Sequence, residues 1–199
     1  FSGVRRLKQI DEDVIKGFGD EWSRFNQEAV PDEELRSIFE TYFSIFKWGK
    51  LPAEPVGFDL GCGTGRWAKY VSEKVHTLHC IDPSSALEVA KSNLNSLDNI
   101  VFHKADVFNM PIDDQSMDFG YSLGVLHHIS DTEGALRKCV LKLKKGAPLL
   151  LYLYYSFENR SMLFKFTWRC SDVIRRFVSK CPMPIRYFIS QILAVTIYL

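Results

Sequence analysis

Three glycines, Gly61, Gly63 and Gly65, fall within five residues of the segment "FDLGCGTGRW", directly behind a short apolar run. Glycine adopts backbone angles that a Cβ forbids, and it lets a ligand lie directly against the main chain. A helix that begins behind such a loop also presents free backbone N–H groups to the ligand. The segment is therefore predicted to be a ligand-binding loop between a strand and a helix.

The spacing of these glycines separates two classes of ligand-binding loop. A dinucleotide loop has the pattern Gly-x-Gly-x-x-Gly, whose third glycine lets the helix pack closely on the strand. Here Arg66 occupies that third position. Asp59 lies two residues before the first glycine, where a carboxylate would crowd a pyrophosphate but would attract an ammonium group. A nicotinamide-dependent oxidoreductase is therefore disfavoured.

Strand-like and helix-like segments alternate around this loop. We predict strands over residues 56–60, 77–82, 100–106, 117–123 and 148–155, and helices over residues 66–74, 84–95 and 131–143. This alternation predicts an α/β fold with a doubly wound, mostly parallel, Rossmann-like sheet, which binds ligands at the carboxyl ends of its strands. The unbroken apolar run 149–151 predicts a last strand that is buried on both faces.

Two helical segments flank the core, which we place at residues 51–156. Residues 1–50 form an expected N-terminal cap, with helical periodicity over residues 31–48. Residues 157–199 are predicted to form two or three helices, interrupted at "CPMP", and no sixth or seventh strand is visible in them. We therefore expect a helical insertion or lid, in a chain that continues beyond Leu199.

Composition and charge limit the partners of the chain. The formal net charge is +1, which argues against a general polyanion binder, yet residues 157–199 carry seven Lys/Arg against two Asp/Glu. These basic and aromatic residues suit an anionic or lipid-like acceptor or a membrane surface, although a solvated helical face is the more ordinary interpretation. The five cysteines form no Cys-x-x-Cys pair. Cys62, Cys80 and Cys139 lie in apolar or Gly-rich runs and are predicted to be buried thiols in a reducing, cytoplasmic compartment, with no metal site.

The phrase "FDLGCGTG" resembles the first motif of class I S-adenosylmethionine-dependent methyltransferases, and the resemblance extends over residues 56–155. It implies the fold described above, S-adenosylmethionine as cofactor and S-adenosylhomocysteine as product. The first motif would supply the cofactor contacts Asp59, Gly61, Cys62, Gly63 and Gly65.

The resemblance assigns two further acids at strand ends. Asp82 and Pro83, in "CIDPS", would bind the cofactor ribose, and we expect Ser84 to cap the next helix and leave Asp82 free. Asp106, in "KADVFNMPI", would accept from the adenine amino group, while the N–H of Val107 reaches a ring nitrogen. Without its neighbours, Asp106 would be interpreted as an ordinary turn aspartate.

The phrase "GYSLGVLHHISD" follows the fourth strand and resembles the family's segment at the methionine end of the cofactor. Ser122 and Leu123 would contact the cofactor. His127 and His128 diverge on a helix, so a shared metal is disfavoured; one is expected to be structural and the other to act as a general base. The remaining candidates at this end are Tyr121 and Tyr155 for substrate contact and Tyr154 for catalysis, with packing under a helix as the alternative for the last strand's tyrosines.

A lid candidate precedes the core in "FGDEWSRF". Some small-molecule methyltransferases carry a similar aromatic phrase that folds over the cofactor, which would make Trp22, Arg24 and Phe25 substrate or lid contacts. The aromatic spacing equally fits simple packing of one helix face.

The resemblance implies methyl transfer to a small-molecule acceptor by in-line displacement, with no nucleic-acid partner. The core has no basic stripe, and "YSLG" stands where methyltransferases of base amino groups have an Asn/Asp-Pro-Pro-Tyr/Phe phrase. A protein or nucleic-acid acceptor, and a catalytically silent binding module, remain the alternatives. The acceptor and the oligomeric state are left open.

Overall fold

Five parallel strands form the sheet of the described residues, in the order β3-β2-β1-β4-β5. The computed structural model describes Glu12, residues 15–17, Gly19 and residues 30–154 and 159–198. The strand bounds are β1 Val56–Leu60, β2 Thr77–Ile81, β3 Ile100–His103, β4 Phe119–Leu123 and β5 Leu149–Tyr152. The strand order reverses between β1 and β4, which is where an open α/β sheet binds its ligand.

Helices cover both faces of this sheet. The bounds are α1 Asp32–Phe43, α2 Arg66–Ser72, α3 Ala86–Asn93 and α4 Thr132–Lys142. Side chains of α1, α2 and α3 share one hydrophobic cluster with the sheet, and side chains of α4 share a second cluster with the other face. The predicted doubly wound α/β fold is confirmed, because each crossover places its helix on one face of the sheet.

The two central strands pack closely because glycine lies opposite phenylalanine twice. Gly57 pairs with Phe119, and Phe58 pairs with Gly120. A Cβ added at Gly57 would lie 2.2 Å from the Phe119 ring, and one added at Gly120 would lie 2.3 Å from the Phe58 ring. Each glycine therefore makes room for the ring of the neighbouring strand, directly below the point where the strand order reverses.

The last strand differs from its sequence prediction. Leu150 is buried, but Leu149 and Leu151 are only half-buried and Tyr152 is exposed. The expectation of a strand buried on both faces is wrong, because β5 is an edge strand of the described sheet and its residues are only partly covered. An apolar run cannot distinguish these two positions.

The chain divides into two compact units, Phe1–Tyr154 and Tyr155–Leu199. The second unit contains two helices in its described part, α5 Met162–Ser179 and α6 Met183–Tyr198, which agrees with the prediction of two or three helices around "CPMP". Within the described part of the chain, no helix combines the length and the apolar character needed to cross a membrane.

Candidate functional site

The loop between β1 and α2 has a left-handed backbone at each of its three glycines. The φ angles are +75° at Gly61, +54° at Gly63 and +81° at Gly65. A Cβ at Gly61 would lie 2.4 Å from a methyl of Val125, and one at Gly65 would lie 2.5 Å from Leu94. At Gly63 no atom lies within 4 Å of such a Cβ. Two glycines are therefore required by packing, whereas Gly63 leaves space for a ligand.

A carboxylate at the end of β2 holds this loop in place. Asp82 Oδ2 accepts from the backbone N–H of Gly63 at 2.9 Å, and Oδ1 accepts from the N–H and hydroxyl of Ser84 at 2.8 and 2.6 Å. The Ser84 oxygen itself accepts from the N–H of Ala86, the first residue of α3, although the N-cap position is Ser85, whose side chain makes no capping hydrogen bond. The expectation that Asp82 is left free is wrong, because the Ser84 hydroxyl donates to the acid while its oxygen accepts from Ala86. A carboxylate can accept about four hydrogen bonds, so room remains for a ligand hydroxyl.

Replacing Gly63 by alanine should separate ligand binding from folding. The positive φ costs about 1–2 kcal/mol with a Cβ, but nothing collides with the new methyl group. The methyl group would occupy the space above the loop, so we expect affinity for S-adenosylmethionine to fall about 10-fold or more, that is, by at least 1.4 kcal/mol. Calorimetric titration measures this loss.

Gly146 offers a matched control for that substitution. It has a φ of +82°, again with nothing within 4 Å of an added Cβ, and it follows α4 near the start of β5. Gly146→Ala should lower stability by a similar amount and leave cofactor affinity unchanged. Equal affinity in both variants would exclude Gly63 from the ligand site.

Asp59 lies beneath the loop in the core. Its side chain is 2% exposed, and its Oδ2 accepts from the Tyr121 hydroxyl at 2.9 Å. Burial raises the pKa of Asp59 to about 8, the Tyr121 hydrogen bond opposes this, and Asp82 adds a smaller repulsion. Tyr121 itself is fully buried. The expectation that Tyr121 contacts substrate is therefore wrong, because its ring packs in the core and its hydroxyl is directed at Asp59.

The protonation of Asp59 predicts an unusual pH dependence of stability. The unfolded carboxyl has a pKa of about 3.9, so between about pH 4 and pH 8 only the folded state keeps this proton. The contribution of this group to the free energy of unfolding therefore falls as pH rises, by at most about 1.4 kcal/mol per pH unit. In urea unfolding, the free energy of unfolding of Asp59→Asn should rise relative to that of the parent as pH rises towards 8. For the exposed Asp113→Asn, the difference from the parent should not change with pH. A difference that does not change with pH for Asp59→Asn would contradict the buried, protonated Asp59.

The acid after β3 has an observed structural role. Asp106 Oδ1 accepts from the N–H groups of Phe108 and Asn109 at 2.8 and 3.1 Å, which caps a short 3₁₀ turn beginning at Val107. The turn-aspartate interpretation is confirmed, and the contact of Asp106 and Val107 with adenine stays a prediction. Asp106 is half-buried, so its carboxylate remains within reach of a ligand.

The other predicted cofactor contacts lie around the same edge of the sheet. Ser122 is fully buried and donates its hydroxyl to the carbonyl of Leu60, so its side chain links β4 to β1. Cys62 is buried, and its interaction with Cys80 together with burial raises the pKa of its thiol well above the usual value. Pro83 and Leu123 are half-buried. Cofactor contact by Ser122 and Cys62 would therefore use backbone atoms.

His127 is the least satisfied polar side chain of this region. Both of its ring nitrogens are inaccessible to solvent and have no hydrogen-bond partner among the described residues. The ring lies 4.1 Å from both the His128 and Tyr154 rings, centroid to centroid. Burial lowers the pKa of His127, and burial and the adjacent His127 lower that of His128. A neutral imidazole of this kind can accept a proton.

A row of aromatic rings, which we call the aromatic mouth, extends from His127 past the carboxyl end of β5. Tyr154 lies 6.1 Å from Tyr152, Tyr152 lies 5.1 Å from Tyr42, and Tyr42 lies 5.5 Å from Trp67. The guanidinium of Arg66 stacks on the Trp67 ring at 4.2 Å. Sequence reasoning missed Tyr42 and Trp67, because they come from two different helices and only their packing brings them beside β5.

The predicted lid contacts Trp22, Arg24 and Phe25, and the predicted substrate contact Tyr155, lie outside the described residues. Gly19, just before them, is helical and buried, and a Cβ there would lie 2.7 Å from the Ser85 hydroxyl. Gly19 therefore lies beside Ser85, three residues after Asp82. Among the described residues, no group of three or more His, Cys, Asp or Glu side chains could hold a metal ion.

These features define a class: a Rossmann-like domain that binds a nucleoside-containing cofactor over a glycine loop. Comparisons with known proteins identify the family within this class. Residues 58–151 match the family model described as "Methyltransferase domain". This part of the chain is a class I S-adenosylmethionine-dependent methyltransferase domain, and S-adenosylmethionine is the cofactor of that family. Gly63, Asp82 and the half-buried Asp106 fit such a cofactor, because the open glycine loop and the two carboxylates follow the neighbouring strands β1, β2 and β3 at one edge of the sheet.

Individual relatives agree with this assignment. The mouse protein named "Probable tRNA methyltransferase 9B" is 33% identical over 110 residues, which is 54% of this chain and 23% of the relative. An uncharacterized methyltransferase of Geobacillus sp. is 30% identical over 139 residues, 67% of this chain and 64% of the relative. The crystal structure of the YcgJ protein of Bacillus subtilis superposes with a TM-score of 0.51 and 26% identity, over 61% of this chain and 50% of that one. The chain thus spans less than two thirds of these relatives.

Proposed function

We propose that the chain transfers a methyl group from S-adenosylmethionine to a small-molecule acceptor. The observation that carries the proposal is the hydrogen bond from the Gly63 N–H to Asp82, which fixes an open glycine loop beside an acid at the point where the strand order reverses. A catalytically silent binding module would keep this loop, but it would need no unsatisfied imidazole in the turn after β4.

The cofactor would lie along the carboxyl edge of the sheet. Asp82, with Pro83 beside it, would accept from the ribose hydroxyls, and Asp106 and the N–H of Val107 would bind the adenine. The glycine loop would contact the methionine part through backbone N–H groups, together with the backbone of Ser122 and Leu123. Asp59 would act on the ammonium group from beneath the loop, since its ionised form is favoured by a nearby positive charge.

When bound, the cofactor supplies an electrophilic methyl group on a positively charged sulfur. The chain must then hold the nucleophile in line behind that carbon, and such positioning is worth about 7–11 kcal/mol. His127 would take the proton from an acceptor hydroxyl or amine, because its ring is neutral and its nitrogens have no other described partner. Tyr154 packs against that ring and would orient it, while His128 supports it from the other side.

The aromatic mouth supports a small, planar or apolar acceptor. Tyr42, Trp67, Tyr152 and Tyr154 line one side of the site, with the Arg66 guanidinium on the Trp67 ring, whereas a nucleic-acid backbone would need a row of several Lys and Arg there. Gly19 packs beside Ser85, and Trp22, Arg24 and Phe25, a few residues further along the sequence, would cover a small acceptor.

A second candidate is methyl transfer to tRNA. It is favoured by the name of the mouse relative and by aromatic rings that could stack on an exposed base. The phosphate backbone would then have to be bound outside the aromatic mouth, by another part of the protein.

Titrations test whether the chain binds S-adenosylmethionine, and assays test which class of acceptor it methylates. Calorimetry with S-adenosylmethionine, S-adenosylhomocysteine and NAD should give micromolar binding of the first two and none of the third. Release of S-adenosylhomocysteine should then be measured with a panel of phenols, amines and carboxylic acids, and separately with bulk tRNA. Turnover with tRNA alone would replace the small-molecule proposal, and absence of cofactor binding would overturn the function altogether.

A further inference from the structure

The strongest unassigned surface of the protein lies on α5, in the second unit. Residues spaced by three and four along this helix form one continuous apolar face. Its large members are between 58% and 83% exposed: Met162, Leu163, Phe166, Val173, Ile174 and Phe177. Cys170 on the same face is also exposed. We call these seven residues the α5 apolar face.

The burial of α5 is the reverse of that expected for a helix of a globular core. The buried residue of this helix is Asp172, which lies on the opposite side from the α5 apolar face. Its carboxylate oxygens pair with Arg175 at 2.6 Å and with Arg176 at 2.8 Å. The buried residue of α5 therefore lies on its polar side while the apolar side is exposed, and an exposed patch of this size marks an interaction surface.

Basic residues border the α5 apolar face. Lys165, Arg169 and Arg176 recur at intervals of four and seven, so they form one row along the helix. Arg175 lies towards the other border. Asp172 is the one acidic residue of α5, and it is already paired with two arginines. The surface therefore offers large apolar side chains at its centre and net positive charge at its edge.

We propose that the α5 apolar face docks on an anionic lipid bilayer, with the helix lying in the plane of the interface. The side chains of Phe166 and Phe177 would enter the boundary between headgroups and acyl chains, and the basic row would bind lipid phosphates. The 18 residues of α5 form a helix about 27 Å long. Basic residues interrupt its apolar sequence, so the helix would lie on a bilayer and would not span it.

Charge distinguishes this partner from two others. A second copy of α5 would bring another basic row against the first, with no unpaired acid on either helix to match it. A nucleic acid would match the basic row but would leave the six large apolar side chains in water. An anionic lipid surface is complementary to both parts of the patch.

Co-sedimentation of the 199-residue chain with vesicles tests the proposal. Vesicles of phosphatidylcholine alone should be compared with vesicles containing a quarter of phosphatidylglycerol. We expect partitioning about 10-fold stronger on the anionic vesicles, and weaker at 0.5 M than at 0.1 M salt because exposed charges are screened. Equal partitioning on both vesicles, or none on either, would overturn the proposal. The readout requires no methyl acceptor and no cofactor, so it stands apart from the proposed enzymatic function.

A matched pair of variants locates the contact. Phe166→Glu places a charge in the α5 apolar face, whereas Ser171→Glu adds the same charge at an exposed position outside it. We expect Phe166→Glu to lose about 10-fold or more of the partitioning and Ser171→Glu about 3-fold or less. Both positions are exposed, so circular dichroism should show unchanged helix content. Equal loss of partitioning in both variants would show that the binding is general electrostatic attraction. If the chain does not bind vesicles but forms a dimer that Phe166→Glu dissociates, the α5 apolar face serves self-association. Either result overturns the proposal.

Discussion

Asp82→Asn should lower the affinity for S-adenosylmethionine about 100-fold or more, because a charge-assisted hydrogen bond to a ribose hydroxyl is worth about 1.5–3 kcal/mol and the anchor of the glycine loop is lost with it. The amide also has only one acceptor oxygen, so it cannot receive the Gly63 N–H and the Ser84 hydroxyl as the carboxylate does. The loss of the loop anchor and the loss of the ribose contacts therefore act in the same direction. Calorimetric titration of the variant measures their sum.

Two companion variants separate these effects from general damage. Ser84→Ala removes one donor to Asp82 but keeps the acid, so affinity should fall less than about 10-fold. Asp113→Asn removes an exposed charge elsewhere and should change nothing. Thermal unfolding should show that the Asp82 variant is folded at the titration temperature. An affinity within threefold of the parent would remove Asp82 from the cofactor site.

His127→Asn should reduce kcat by about 100- to 10,000-fold with any acceptor whose nucleophile must lose a proton, which is the usual range for a lost general base. The affinity for S-adenosylmethionine should stay within about threefold, because no step of cofactor binding uses the imidazole. Burial lowers the pKa of His127 below its ordinary value of 6.5. The parent's kcat should therefore rise with pH through a pKa below 6.5 and be level at neutral pH.

The pH profile distinguishes a base from a packing residue. The His127→Asn variant should lose the rise of kcat between acid and neutral pH, whereas Tyr154→Phe, which keeps the stacked ring, should retain it. Tyr154→Phe should also keep kcat within about 10-fold of the parent. Retention of the parent's pH profile in His127→Asn would assign proton removal to another group or to solvent.

The local chemistry of the chain was predictable because it depends on neighbours in sequence. The bounds of β1 agree with the prediction at both ends, since an apolar run followed by a glycine-rich turn permits little else. The positive φ at Gly61, Gly63 and Gly65 follows from the same short segment. Helix and strand ends elsewhere were predicted one to three residues too long in several places, because fraying and capping depend on contacts.

The roles of individual polar residues were less predictable. Tyr121 and Tyr154 were both predicted at strands that lead to the site, yet Tyr121 is fully buried and Tyr154 is 66% exposed. Tyr121 lies in the middle of β4, under the cover of the core, whereas Tyr154 lies two residues beyond the end of β5. Asp82 was expected to be free because Ser84 could cap the helix, and nothing in the sequence indicates that the same hydroxyl also donates to the acid.

The sequence by itself determined the class of fold, the glycine loop and the order of acids at the strand ends, since each follows from residue type and short spacing. Only the tertiary structure decided which side chains share an environment. In the tertiary structure Tyr42 and Trp67 lie in the aromatic mouth beside β5, and both nitrogens of His127 have no described partner. The α5 apolar face is exposed. Burial and hydrogen-bond partners arise from residues far apart in the chain, and a linear pattern does not contain them.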